Sequence, residues 1–287
     1  LEVVGLKLLI NYLMKRKVSN IGILVSIAVL VFFGVFLSFV SAQEFDYSKA
    51  YEDFSYNLSL HDQQKSVYQK ARSEYLQFDT LTSKETVKED TLKLLLIRDE
   101  VVKTYLTSLR MKIRELKGIT DSEKEGYYSR IDEEYKYFEE HKNKLSSAGS
   151  LEDLVDDSDE ALDRYDRSSK IVIYYTLIGI ASGKNSYLRS EIEKQISEIK
   201  SKISEIRSNG DKDVSSIERS IIDMENKISR SKEKDSESLN MVNQIKTTEN
   251  DKEDVYNEAL LGTQDSFSYI KEVSNYLLEI IKQIKTN

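Results

Sequence analysis

From about residue 46 onward, apolar residues return every three or four positions with polar residues between them. That is the period of a helix that buries one side. Tyr47, Tyr51, Phe54, Leu58, Tyr68 and Tyr75 predict a helix over about 46–78. Thr80-Leu81-Thr82-Ser83 interrupts it, with Thr82 or Ser83 as the expected N-cap of the next helix. Leu92, Leu95, Asp99, Val102, Leu106, Leu109, Ile113 and Leu116 then mark a helix over about 83–117. Leu94, Leu96, Ile97, Val101 and Tyr105 widen its stripe nearly all the way round, which places it at the centre of a bundle. Gly118 is expected to end it.

Thr120-Asp121-Ser122-Glu123 is a capping box, in which the hydroxyl accepts from the Glu123 N–H and the carboxylate accepts from that of Thr120. The helix it opens runs to about Leu145, with Tyr128, Ile131, Tyr135, Phe138 and Leu145 on one face. Ser146 to Ser150 is a loop, and Ser150 with Asp153 opens a further helix that carries Leu151, Leu154, Leu162, Tyr165, Val172, Tyr175 and Ile178. Gly179 and Gly183 are its expected weak points. From Tyr187 the stripe narrows to Leu188, Ile192, Ile196, Ile199, Ile203 and Ile206; after Ser208-Asn209-Gly210-Asp211 it resumes at Val214, Ile217, Ile221, Met224 and Ile228. Two narrow stripes joined by an Asn-Gly turn predict an antiparallel coiled-coil hairpin. Ser231 to Asn240 is polar, with Asp235 and Ser238 where the stripe needs apolar residues, so frayed helix or disorder is expected there. A last amphipathic helix, about 263–285, carries Phe267, Ile270, Val273, Leu277, Ile280 and Ile284.

A different pattern precedes all of this. Ile21 to Val40 carries no charge, and ~20 helical residues match a ~30 Å hydrocarbon core. Lys15-Arg16-Lys17 stand before it and Glu44 and Asp46 after it, so the N-terminus is expected in the cytoplasm and the bulk outside. Val40-Ser41-Ala42 before Gln43 resembles a signal-peptidase site, although the apolar run exceeds the ~7–15 residues of a usual signal core. Both a retained anchor and a secreted form cleaved after Ala42 remain open. Met14-Lys15-Arg16-Lys17 reads as a possible start. The expected organisation is a short cytoplasmic segment 1–20, an anchor or signal peptide 21–42, a helical bundle 43–184 joined by the last helix, a projecting hairpin 185–230, a polar segment 231–262, and a C-terminal helix 263–287. The fold class is all-α.

Composition agrees. The 287 residues include no proline, where ordinary usage of ~5% would give roughly 14. Without proline, long helices meet no ring clash and no missing N–H. No cysteine is present, which excludes disulfides and a thiol-linked lipid. Residues 1–43 carry Lys7, Lys15, Arg16 and Lys17 against Glu2, a net +3, so against a total of −8 the rest of the chain carries −11. Such an acidic surface repels nucleic-acid phosphate.

Candidate chemistry is sparse. His61 and His141 have no second histidine at metal-binding spacing. No nucleophile elbow or phosphate-binding glycine loop occurs. Asp156-Asp157-Ser158-Asp159-Glu160 offers hard oxygen ligands but lacks a glycine to turn a calcium loop; it fits the exposed first turns of a helix. Asn209 to Ser215 reads as a turn and N-cap. Asn57-Leu58-Ser59 is a sequon of the kind chance supplies. The eighteen tyrosines suit helix interfaces with wet edges. Asp99, on the most buried stripe, must find a partner; with Arg98 directed elsewhere, a tyrosine hydroxyl or a lysine from another helix is expected. No catalytic, metal or cofactor-binding residue is assigned.

The stretch from Phe45 through Tyr56, then Ala71-Arg72-Ser73-Glu74-Tyr75-Leu76, Thr80-Leu81-Thr82-Ser83 and Arg98 through Leu106, resembles exported helical proteins encoded by candidate-phyla bacteria with reduced genomes. The resemblance spans about Phe45 to Leu116 and implies an envelope location with no activity attached. The expected function is that of a non-enzymatic, membrane-tethered helical scaffold or stalk, binding an envelope protein or itself through the hairpin. The alternatives are an extracytoplasmic sensing or ligand-binding bundle acting through a partner, and a helical pore-former using Ile171 to Ala181.

Overall fold

Seven α-helices and one π-helical turn make up the described residues, 45–209, 214–247 and 251–286 of a computed structural model. The helices are α1 (Tyr47–Phe78), α2 (Leu81–Glu115), α3 (Asp121–Leu145), α4 (Leu151–Arg164), α5 (Lys170–Asn209), α6 (Ser215–Asn243) and α7 (Lys252–Thr286), with the π turn Tyr165–Ser169 between α4 and α5. No strand occurs among these residues, and no helix among them is long and apolar enough to cross a membrane. The apolar run Ile21–Val40 and the turn Gly210–Asp213 lie outside the described residues.

Side chains fix the starts of the first four helices, whereas α6 follows Val214 without a side-chain cap. Asp46 caps α1 by accepting from the Lys49 N–H at 2.9 Å. The capping boxes expected at Thr120/Glu123 and Ser150/Asp153 are both formed. The second helix begins two residues earlier than its sequence implied, because Thr80 is the cap and Ser83 answers from the third position. Asp79 makes the intervening turn in the left-handed region, φ 44°, which a short polar side chain tolerates better than a branched one.

As expected, α2 is central. Leu94, Leu95, Val101, Val102, Leu106, Leu109 and Ile113 are buried on several sides of it, against α1, α3, α4 and α5. Beyond its end at Glu115 the loop runs onto α5. A Cβ on Gly118 would stand 1.9 Å from the Gly183 carbonyl oxygen and 2.6 Å from the Tyr187 nitrogen. This glycine therefore lets a loop touch a helix backbone, and Leu116, in extended conformation, is what stops α2. Gly179 and Gly183 do not weaken α5. They are the places where Tyr127 and Ile119 seat directly on it.

The π turn explains a shift in the buried face. Widening one turn adds a residue and advances the helix phase. Downstream of it Tyr174 is fully buried and Tyr175 only half-buried, the reverse of the stripe drawn through Tyr165 and Val172 at constant period. Tyr174 stacks on Tyr256 of α7, ring centroids 4.3 Å apart.

The hairpin of α5 and α6 is antiparallel, tied by Lys200–Glu225, Arg207–Glu218 and Lys232–Glu193. It does not project alone. The C-terminal helix starts eleven residues before its expected position and lies along both arms, so that Ile270, Val273, Leu277 and Ile280 join Ile192, Ile196, Ile199, Ile203, Ile217, Ile221, Met224 and Ile228 in one core. A two-stranded hairpin would have left its stripes half-covered, and a third helix completes their burial. For the same reason α7 packs with α5 and α6 and does not join the bundle built on α2. Nor does the chain fray at Ser231 to Asn240, where α6 continues to Asn243.

Glycines supply a direct check. Gly118→Ala should cost about 2 kcal/mol or more, since backbone must move. Gly126→Ala, in mid-helix with nothing within 4 Å of the added Cβ, should stabilise by ~1 kcal/mol. Chemical denaturation followed by circular dichroism measures both; a neutral Gly118→Ala would contradict the close approach.

Candidate functional site

Three buried polar clusters lie between the helices. The first surrounds Asp99, fully buried on α2. Its Oδ1 accepts from Arg98 Nε and Nη2 at 3.2 and 3.1 Å, so the adjacent arginine curls back and is not directed elsewhere as the sequence suggested. The same guanidinium donates to Ser158 Oγ at 2.9 Å, tying α2 to α4. Oδ2 meets His141 Nδ1 at 2.5 Å, and His141 Nε2 meets the Asp157 carbonyl at 2.9 Å. A carbonyl only accepts, so it is Nε2 that donates in this contact. The partner of Asp99 on another helix is thus a histidine, not the tyrosine or lysine expected. Asp157, from the acidic run, is itself buried and takes Lys144 at 2.8 Å; Lys144 also bridges Glu160, and these two carboxylates raise the ammonium well above its ordinary value.

Two groups beside this cluster are less well served. His61 of α1 is 1% exposed, and neither ring nitrogen has a hydrogen-bond partner among the described residues. The Asp62 carboxylate stands 3.6 Å from Nδ1, beyond hydrogen-bond range. Burial lowers the affinity of this imidazole for a proton, with Lys65 and, from α2, Arg98 acting the same way and Asp62 opposing. Tyr137, stacked on His141, has a buried hydroxyl without a partner among the described residues; burial, then Glu160 and Asp99, push its pKa up to about 12.

The second cluster is built by the π turn. Glu134 of α3, 1% exposed, receives Arg164 on both oxygens, at 2.6 and 3.1 Å, together with Ser168 at 2.5 Å and Ser169 at 2.6 Å. Two consecutive serines reach one carboxylate because the widened turn brings them to the same side. In the helix period Glu134 displaces Tyr135, and Tyr127 displaces Tyr128, from the positions the stripe assigned them on α3. Tyr135 and Tyr128 lie at the edge instead, under Lys103 and Arg110.

The third cluster lies between α5, α6 and α7, at one end of their apolar core. Arg189 of α5 forms an ion pair with Asp235 of α6 and donates to Ser231 at 2.9 Å and to Ser266 of α7 at 3.2 Å. Asn185 adds bonds to Asp235 and the Thr263 carbonyl, both 3.0 Å. Asp235 and Ser238, which broke the apolar stripe, are therefore inside the core. Desolvation raises the carboxyl of Asp235 even against the pull of Arg189.

No group of three or more histidine, aspartate or glutamate side chains among the described residues is placed to hold a metal ion. Asn57 lies within α1 and donates to the Asp53 carbonyl at 2.9 Å. Glu134, Arg164, Ser168, Ser169, Asn185 and Arg189 did not stand out in the sequence. Among these six, a signal existed only for Asn185 and Arg189, where polar residues at core positions of α6 asked for a partner. No protein-family model, curated protein or solved structure matches the chain.

Two outcomes follow for stability. Asp235→Ala strands the Arg189 guanidinium and should cost about 3–5 kcal/mol, whereas Arg189→Met with Asp235→Leu should be neutral or stabilising, as read by denaturant midpoints. The buried neutral His61 should make stability fall as pH drops below about 6.5, because the unfolded chain then takes a proton that the folded chain resists. His61→Leu should remove that part of the slope and gain ~1–3 kcal/mol at pH 7 by deleting unsatisfied nitrogens. Melting temperatures of both proteins between pH 5 and 8 test this, and parallel profiles would refute it.

Proposed function

We propose that this protein is a non-enzymatic, membrane-tethered helical scaffold whose exported bundle holds another protein. The observation that carries this reading is the exposed apolar surface of α1. That helix has 32 residues, yet only Ala50, Phe54, His61 and Ala71 are buried, and its packing neighbour is α2. Tyr56 (64% exposed), Val67 (48%), Leu76 (65%), Phe78 (60%) and, across the turn, Leu81 (89%) face outward. A surface of this kind marks a place for protein contact. The buried titratable groups, by contrast, chiefly serve as struts: Arg98 joins α2 to α4, Glu134 joins α3 to the π turn, and Asp235 joins α5 to α6.

Tethering rests on the sequence. Ile21–Val40 has the length and apolarity of a spanning helix, and Lys15-Arg16-Lys17 sets its cytoplasmic side. The likeness to exported helical proteins supports the same location.

With the full chain expressed in bacteria, protease added outside spheroplasts should digest the acidic C-terminal portion, and carbonate washing should leave the chain on the membrane. Leu30→Arg with Phe33→Arg should release it. Digestion only after lysis would end the proposal, and a medium form beginning at Gln43 would replace the anchor by a cleaved signal. Envelope partners captured on the native chain should be lost with Leu76→Asp and Leu81→Asp, which lie outside the stripe of Tyr56 and Val67; capture unaffected by these changes would place binding elsewhere.

A further inference from the structure

The outward side of α1 is ordered along its length. Lys49, Asp53, Tyr56, Leu60, Gln63, Val67, Lys70, Glu74 and Phe78 fall within an arc of ~100° at 3.6 residues per turn. The arc lies to one side of the line of Phe54 and His61 that meets α2. Most of its members are exposed, and Leu60 and Asp53 are half-buried. The stripe is therefore a second packing face, which α2 does not cover.

Its sequence is self-complementary when read against itself backwards. Set antiparallel to a copy of itself, Lys49 faces Glu74, Asp53 faces Lys70, Tyr56 faces Val67 and Leu60 faces Gln63, and the residue numbers of every pair add to the same total. Two-fold symmetry makes each pair twice, so four ion pairs flank the apolar contacts. Other arrangements fail on charge. A parallel pair opposes Lys49 to Lys49 and Glu74 to Glu74. A slide of one heptad sets Tyr56 against Glu74 and Leu60 against Lys70, or, in the other direction, Val67 against Lys49. Among the described residues of one chain these charges make exposed contacts one turn apart, Lys49 with Asp53 at 3.0 Å and Glu52 at 3.8 Å, and Lys70 with Glu74 at 4.0 Å, which are weak and readily exchanged.

We infer that the outer stripe of α1 seats a second copy of this chain, α1 against α1, antiparallel about a two-fold axis between His61 and Asp62. The contact is isologous, so it closes at a dimer. With α2 of each copy alongside, the pairing makes an intermolecular four-helix arrangement. The inference goes beyond the scaffold reading, and it holds whether the chain is anchored or secreted.

The absence of cysteine makes the register directly measurable. Full-length chains carrying Tyr56→Cys and Val67→Cys are mixed in detergent and either oxidised or treated with a short bis-maleimide. The mixture should give a covalent dimer at least about fivefold above either variant alone, because residue 56 of one copy meets residue 67 of the other, while like positions stand ~16 Å apart along the helix. Equal yields, or none, would overturn the register and with it the proposal. Sedimentation of cysteine-free chains provides the second arm. Glu74→Lys should weaken self-association about tenfold, and Lys49→Glu with Glu74→Lys should restore it. A monomer at all concentrations would assign the stripe to a different protein. A dimer insensitive to both changes would place self-association on another surface. Either result refutes the pairing.

Discussion

Water's hold on charge is the constraint that organises this protein. A carboxylate or guanidinium taken out of water costs several kcal/mol unless a partner of opposite sign and further hydrogen bonds replace the lost hydration. Asp99, Glu134 and Asp235 are each nearly or wholly without exposed surface, and each has an arginine on it. The partners come from different helices or reach across to them, so the requirement that every buried charge be matched becomes a requirement on how the helices are set against one another. Apolar stripes alone would tolerate sliding by a turn or a heptad. A slide of α6 by one turn would carry Asp235 away from Arg189 and leave both unanswered.

The bundle's interior is in this sense two materials. Isoleucine, leucine and valine supply the driving force for association, roughly 1.5–3 kcal/mol for each large side chain fully buried. The polar clusters add little to that and narrow the ways it can be realised. Serine recurs beside them, as Ser158, Ser168, Ser169, Ser231 and Ser266, because a hydroxyl is small, donates and accepts, and fits between a charge and a neighbouring backbone.

Helix content, helix order and the centrality of α2 were legible in the sequence because they depend on a local period and on turn chemistry that residues such as Thr120, Glu123, Ser150 and Asp153 declare openly. What escaped was whatever depended on a distant partner. The stripe through Tyr128 and Tyr135 was read one residue out, since tyrosine counts as apolar in a periodicity and Glu134 does not, although Arg164 and two serines make Glu134 the inner residue. The π turn is written in no motif; it coincides with the contacts of Ser168 and Ser169 to Glu134. Ser231 to Ser238 looked like a fraying end because its core partners, Asn185, Arg189 and Ser266, lie 35 to 50 residues away. Asp99 and His141 were each singled out, but nothing in the sequence joined them.

Helix α5 belongs to both halves of the assembly. Its first turns pack against α2 and α3, and its later turns form the core with α6 and α7, within 40 residues that span ~60 Å. Tension applied at the far end would therefore run along a single hydrogen-bonded rod and load the flanking interfaces in shear, where many side chains must slip together, instead of peeling them apart one by one. The shared helix makes a tie-bar, stiff along its own axis and without a hinge midway.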